Sequence, residues 1–364
     1  MKKTLLVLLV VNIFSFVSFA QNATVLDKAY EQAIQAAAQV MRDSLKADRI
    51  PGASITVTIK GKVVWSEGFG YADLEQDVPV TPETKFRVGS ISKSLTSAAV
   101  GLLYQEGKMS LDSVIQAYVP SFPVKRYPIT VREVAGHIAG IRHYWDREMY
   151  LARRFPTVLD GLTIFEDDTL LFKPGTRFAY SSYGWNLVSA VVEGASGSDF
   201  LSYMHSKVFE PLGMTNTVPD FTDSLIAHRA RWYTEDSLKH MLNAPFVDNS
   251  YKWAGGGFLS TTDDLAKFGN AMLDATLLKR STIDTLWTPL KLNDGRSTNY
   301  GIGWFIRHDK SGRLVVSHSG GSIGGTANLL LYPKEDLVVA LLVNSDSRFI
   351  HHAYQIAEIF LSPQ

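Results

Sequence analysis

The chain predicts an α+β protein in which strands from its two ends form one antiparallel sheet, with a helical lobe inserted between the N- and C-terminal parts. Three features point there. An amphipathic helix and two strand-like runs fill residues 25–71, helical periodicity dominates the middle of the chain, and strand-like runs return after Ala254 and close on a last helix. At 364 residues the chain exceeds what one core usually serves. The expected division is a sheet domain from 24–85 and 250–364, and a mainly helical lobe from 86–249.

Lys2 and Lys3 precede an apolar run from Leu5 to Phe19 that ends in Ser18-Phe19-Ala20, with small residues at the two positions a signal peptidase reads. Residues 1–20 are therefore expected to be an export signal cleaved after Ala20. The run is short for a membrane span and is interrupted by Asn12 and Ser15, so no stable membrane insertion is expected after cleavage. Apolar residues at Val25, Ala29, Ala33, Ala37, Val40 and Met41 mark a helix from Val25 to Leu45 that Pro51-Gly52 stops. Ala53 to Ile59 and Val63 to Tyr71 are strand-like and joined by Lys60-Gly61-Lys62, a hairpin. Leu95, Ala98, Ala99, Leu102 and Leu103 have the spacing of a buried helix.

Thr130 with Glu133 three residues on caps a short helix over Ile129 to Ala135. Residues 141–176 are irregular and rich in aromatic and charged side chains, the profile of a lid or substrate wall. A helix through Leu187, Val188, Val191 and Val192 is expected to end at Gly194 and Gly197, and another runs from Phe200 towards Phe209. Thr261 or Thr262 caps a helix over Thr262 to Leu273. Strands are expected at Tyr300 to Ile306, Leu314 to Ser317, Ala327 to Tyr332 and Leu337 to Val343, with a last helix from Ser347 to Phe360.

Composition removes several functions. Formal net charge is zero, which provides neither a nucleic-acid footprint nor a polybasic membrane patch. Cysteine is absent, so disulfides and a lipid-modified N-terminal cysteine are excluded. The histidines, including His351-His352, lack metal-ligand spacing with acids, and glycines 255–257 lack the lysine and hydroxyl residue of a phosphate loop. No cofactor is expected.

The chemistry is carried by Ser90 and Lys93. On a helix they share a face, so the amine can reach the hydroxyl, and a serine at a helix N-terminus lies beside free N–H groups that stabilise a developing anion. Taken alone, the same residues also read as an N-cap and a solvated lysine. A serine nucleophile needs a base, and lysine serves only if neutral. Bringing its pKa from about 10.4 to about 7 costs roughly 4.6 kcal/mol, which burial beside a second group supplies. Tyr180, on a loop before a helix, is the candidate for that group, and the spacing leaves open which of the two is the base and whether Tyr180 is only a packing residue.

His318-Ser319-Gly320-Gly321 follows a strand, where a side chain can line a cleft edge and the glycines let backbone N–H groups approach a bound carbonyl oxygen. Gly320-Gly321-Ser322-Ile323-Gly324 matches a nucleophile elbow in letters only, because a strand rather than a helix is expected after it.

Ser90-x-x-Lys93, the Tyr180 motif and His318-x-Gly320, in this order, resemble the serine β-lactamase and penicillin-binding-protein superfamily, in its class C-like branch. The likeness is concentrated in Ser92 to Thr96, Gly140 to Tyr144 and Val247 to Ser260, where the chain is most similar to the mitochondrial members. The resemblance implies a sheet flanked by helices, Ser90 as acylated nucleophile, Lys93 and Tyr180 as proton-transfer pair, and the N–H groups of Ser90 and Gly321 as oxyanion hole. It places His318, Ser319, Gly320 and Ser182 on the substrate side, and the periplasm as destination.

Two departures bear on substrate. Ser182 stands where the family usually has asparagine and cannot make both amide hydrogen bonds, and His318 stands where β-lactamases carry lysine. Both favour an exported peptidase or esterase acting on small peptides or esters over an efficient β-lactamase. A D,D-carboxypeptidase or penicillin-binding protein, a weak β-lactamase, and a non-catalytic binding or filament-forming protein that self-associates remain as alternatives.

Overall fold

The structure is a computed structural model that describes residues 27–346 and 351–362. The expected export signal, the start of the first helix at Val25 and the start of the last at Ser347 lie outside those residues.

In chain order, helix α1 (Glu31–Ala47) leads into the hairpin β1 (Gly52–Ile59) and β2 (Lys62–Asp73), then the short β3 (Val78–Pro79) and β4 (Phe86–Arg87). The helices α2 (Ile91–Gln105), α3 (Val131–Ala135), α4 (Val158–Leu162), α5 (Ser182–Ser196) and α6 (Phe200–Met204) follow. Short strands β5 (Val218–Pro219), β6 (Tyr233–Glu235) and β7 (Met241–Asn243) precede α7 (Trp253–Gly256) and β8 (Phe258–Ser260). The chain then runs through α8 (Thr262–Asp274), α9 (Arg280–Trp287), β9 (Phe305–His308), β10 (Leu314–Ser322), β11 (Gly325–Tyr332), β12 (Leu337–Val343) and α10 (His351–Leu361).

The main sheet is antiparallel, in the order β3-β2-β1-β12-β11-β10-β9. Pairing of β1 with β12, from Ala53↔Val343 to Ile59↔Leu337, joins the two ends of the chain as expected. The apolar run of β12 has no polar alternation because both of its faces are covered. Val339 and Leu341 meet α1 and α10 on one face, while Ala340 and Leu342 join the core around α2 and α5 on the other. The α2 helix is buried from Ile91 to Leu103, which fixes the frame for the residues at its N-terminus.

Several boundaries differ from expectation. The α5 helix continues through Gly194, where a Cβ would stand 1.9 Å from the Tyr118 carbonyl oxygen, so that glycine marks a close helix–loop contact and Gly197 marks the end. The ninth strand begins at Phe305 rather than Tyr300, because the chain turns between them: Gly303 has φ +79°, the Gly301 N–H donates to the Trp304 carbonyl oxygen, and Tyr300 forms an isolated antiparallel bridge with Phe305. The tenth does not stop at Ser317 but pairs with β11 as far as Ser322↔Gly325. The α6 helix gives way to a π turn over His205–Phe209, and α9 was not expected at all. His352 of α10 meets Ser44 Oγ at 3.1 Å and Asp48 Oδ2 at 3.2 Å at the end of α1.

Candidate active site

Ser90 is the N-cap of α2 and is half-buried. Gly89, which turns the chain into it, has φ +49°, and a Cβ there would stand 2.7 Å from the Gly321 carbonyl oxygen. A Cβ on Gly320 would stand 1.9 Å from the Val88 carbonyl oxygen. Glycine at these positions is what lets β10 close against the Ser90 turn. Gly320 and Gly321 therefore lie beside Ser90 as expected, although within a strand rather than beyond its end. The β9 strand pairs with β10 only up to Ser317↔Phe305, so from His318 onward that edge of β10 has no neighbouring strand among the described residues.

Lys93 is completely buried, with Nζ 2.9 Å from Ser90 Oγ, 3.2 Å from Ser182 Oγ and 2.6 Å from the Gly255 carbonyl oxygen. Burial, and then the charge of Lys252, hold its amine well below the ordinary lysine range. Lys93 Nζ lies 5.0 Å from the centre of the Tyr180 ring. Burial pushes the Tyr180 phenol up, a hydrogen bond with Ser90 opposes that, and Tyr144 adds to it. Tyr180 thus keeps its proton at neutral pH while Lys93 is disposed to lose one.

Ser182, the first residue of α5, is close to Lys93, as its place in the motif required. His318 is brought to the same side of the sheet as α2, but it is buried beneath the site instead of lining an open edge. Its Nδ1 lies 2.6 Å from the Ser319 carbonyl oxygen and its Nε2 lies 3.1 Å from the Tyr300 hydroxyl. The carbonyl can only accept, so Nδ1 carries the proton and Nε2 accepts from Tyr300. Burial, and then the Lys93 charge, hold His318 down to about 3, which makes it neutral at pH 7. By strand alternation the Ser319 side chain faces away from His318, and only its carbonyl contacts the His318 ring. Ser322 ends β10 at a hairpin into β11, which rules out a nucleophile elbow there.

Sequence reasoning assigned no role to three neighbours. His137 Nδ1 accepts from the Ser181 N–H at 3.0 Å and His143 Nδ1 accepts from the Ser182 N–H at 3.1 Å, so two imidazoles fix the backbone just after Tyr180. The His137 ring also lies 4.3 Å from that of Tyr180. Lys252, the third, is the second basic group that depresses Lys93. The only sequence signal for His143 and Lys252 was the likeness of their local segments to the superfamily, and His137 lies outside those segments.

This fold, with Ser-x-x-Lys at the head of a buried helix, defines a β-lactamase-like serine hydrolase scaffold. The family model for Beta-lactamase matches residues 37–360, and the chain belongs to that family. It is 34% identical over 402 residues to the human mitochondrial serine β-lactamase-like protein LACTB, covering 85% of this chain and 73% of that one. The octameric penicillin-binding protein homologue from Pyrococcus abyssi superposes with a TM-score of 0.79 at 27% identity, over 90% of this chain and 77% of that one. A D-stereospecific amidohydrolase from Streptomyces shares the fold, with a TM-score of 0.75 at 22% identity over 90% and 97% of the two chains.

Proposed function

We propose that the chain hydrolyses small peptides or esters through an acyl-enzyme on Ser90. The observation that carries this reading is the 2.9 Å contact between Ser90 Oγ and Lys93 Nζ, with the amine fully buried and held towards its neutral form. A neutral amine has two N–H bonds, which suit the Gly255 carbonyl and Ser182 Oγ, and one lone pair, which is then free for the Ser90 proton.

In the reaction proposed, Ser90 Oγ attacks the substrate carbonyl carbon and passes its proton to Lys93. The carbonyl oxygen becomes an anion facing the N–H groups of Ser90 and Gly321. Collapse of that intermediate breaks the C–N or C–O bond. Tyr180 protonates the leaving group and is resupplied by Lys93. Water then attacks the acyl carbonyl, and Ser90 departs carrying a proton again.

The free edge of β10 beside Ser90 suits an extended peptide backbone. Neutral His318 speaks against an efficient β-lactamase. The basic, apolar N-terminal run supports export, with the periplasm as destination; among the described residues no helix is long and apolar enough to cross a membrane. The octamer named for the Pyrococcus relative supports self-association. A monodisperse monomer in light scattering would remove that part.

Steady-state hydrolysis of a panel of p-nitrophenyl esters and aminoacyl anilides tests the activity. Turnover in the mature protein that disappears in Ser90→Ala is expected, and equal turnover in both proteins would overturn the reading.

A further inference from the structure

The β9–β10 turn, the end of β11 and α10 border a cavity of about 550 Å³ that the acyl-transfer steps leave unused. Val315 and Tyr332, which line it, belong to the core under α1 and α10, so the cavity lies across the sheet from Ser90. Tyr332 is 1% exposed, yet its hydroxyl has no hydrogen bond among the described residues. Burial, and then the charge of Asp309, push its phenol up, so it keeps its proton and stands as a donor. A buried donor without an acceptor is costly, and a ligand oxygen that accepts from it removes that cost.

Most of the other polar groups on the cavity are donors too. Arg313, whose guanidinium lies 6.0 Å from the centre of the Tyr332 ring, gives Nε to Asp309 Oδ2 at 2.7 Å. Its two Nη groups have no hydrogen bond among the described residues. Asp309 is fully engaged by the turn, since Oδ1 also accepts from the Ser311 and Arg313 N–H groups, at 2.9 Å each. Arg307 and Lys310 are exposed and line the cavity, and their charged ends have no ion pair among the described residues. With Asp309 balanced by Arg313, these two cations face one carboxylate, that of Glu358. Gln355 and Glu358, three residues apart on one face of α10, are the acceptors.

We infer that this cavity binds a small hydroxylated acid, whose phosphate or carboxylate meets Tyr332, Arg313, Arg307 and Lys310 and whose hydroxyl groups donate to Gln355 and Glu358. The site is independent of the Ser90 chemistry. Guanidinium groups match oxyanions with paired N–H bonds, and the phenol adds a donor from a sheltered floor. The volume is that of a small-molecule site rather than of a lone ion, which leaves room for the hydroxylated body.

Calorimetric titration of the mature protein with glucose 6-phosphate, glucuronate, inorganic phosphate and glucose tests this, at physiological ionic strength so that exposed charges alone are screened. One or both acid sugars are expected to bind at least about tenfold more tightly than either glucose or inorganic phosphate, and their ranking identifies the preferred acid. Tyr332→Phe, which keeps the ring and removes only the hydroxyl, should weaken that binding about five- to tenfold, and Lys310→Gln by a similar factor, with the melting temperature of both unchanged. Absence of binding by both acid sugars, or glucose or inorganic phosphate binding as tightly as they do, would overturn the assignment. So would an affinity that is the same in wild-type, Tyr332→Phe and Lys310→Gln proteins. The wild-type comparison needs no variant, so misfolding of a substituted protein leaves the test standing.

Discussion

Under α1 and α10 the sheet is covered by aliphatic and aromatic side chains, with Ile55, Val57, Leu330 and Leu341 against Ala37, Met41, Ile356 and Phe360. Trp65 stacks on Phe360 there at 6.1 Å. The α2 side is equally sheltered from water, but it also buries Lys93, Lys252, His137 and His318. Burial on the first side is mostly apolar; its buried carboxyl, Glu67, is pushed up by burial and accepts from Trp65 Nε1 at 2.9 Å. On the second, burial holds Lys93 and Lys252 below the ordinary lysine range, at a cost that the apolar packing must offset, and it keeps the two histidines neutral. The contrast teaches that one side of the sheet secures the fold and the other stores the chemistry.

Substitutions that respect this division break one property and spare the other. Ser90→Ala should abolish turnover while leaving the calorimetric melting temperature unchanged; a parallel loss of stability would blur the contrast. Lys93→Ala should lower kcat/KM by about 10²–10⁴-fold, measured on the same ester panel. On the opposite side, Phe360→Ala should cost about 3–5 kcal/mol in urea unfolding and leave the Ser90 labelling rate of the folded protein unaltered.

The smallest expected effect is a pH dependence of stability. His318 is held to about 3 in the fold and His137 well below its ordinary value, whereas both titrate near the ordinary histidine value when unfolded. Between those limits the unfolded chain binds more protons, so the stability they contribute is complete above about pH 6.5 and declines as pH falls towards their folded values. Urea unfolding across that range should weaken on acidification, and His318→Gln should flatten the slope. An unchanged slope would show that His318 is not held neutral.

Much of the fold on both sides of the sheet was legible in the sequence, because an apolar run such as Leu337–Val343 and a capped segment such as Thr130 to Ala135 carry their instructions locally. Ser90 and Lys93 were legible for the same reason, since a spacing of three residues is a statement about one helix face. Gly320-Gly321-Ser322 was placed beyond the end of the strand, because the ladder to β11 that extends it is not a local signal. The grip of His137 and His143 on the Tyr180 segment depends on where an irregular loop folds back, which no periodicity encodes. Lys252 looks like any other lysine until the fold buries it where its charge acts on Lys93. The α9 helix escaped notice because no side chain caps it and only Thr282, Ile283 and Leu286 are buried.

The central claim is that the α2 side holds an activated serine. Intact-mass measurement after incubation with a fluorophosphonate probe tests it most directly, in the mature protein and in Ser90→Ala. One adduct per chain in the former and none in the latter is the expected result. An unmodified mature protein, or an adduct that persists in Ser90→Ala, would contradict it.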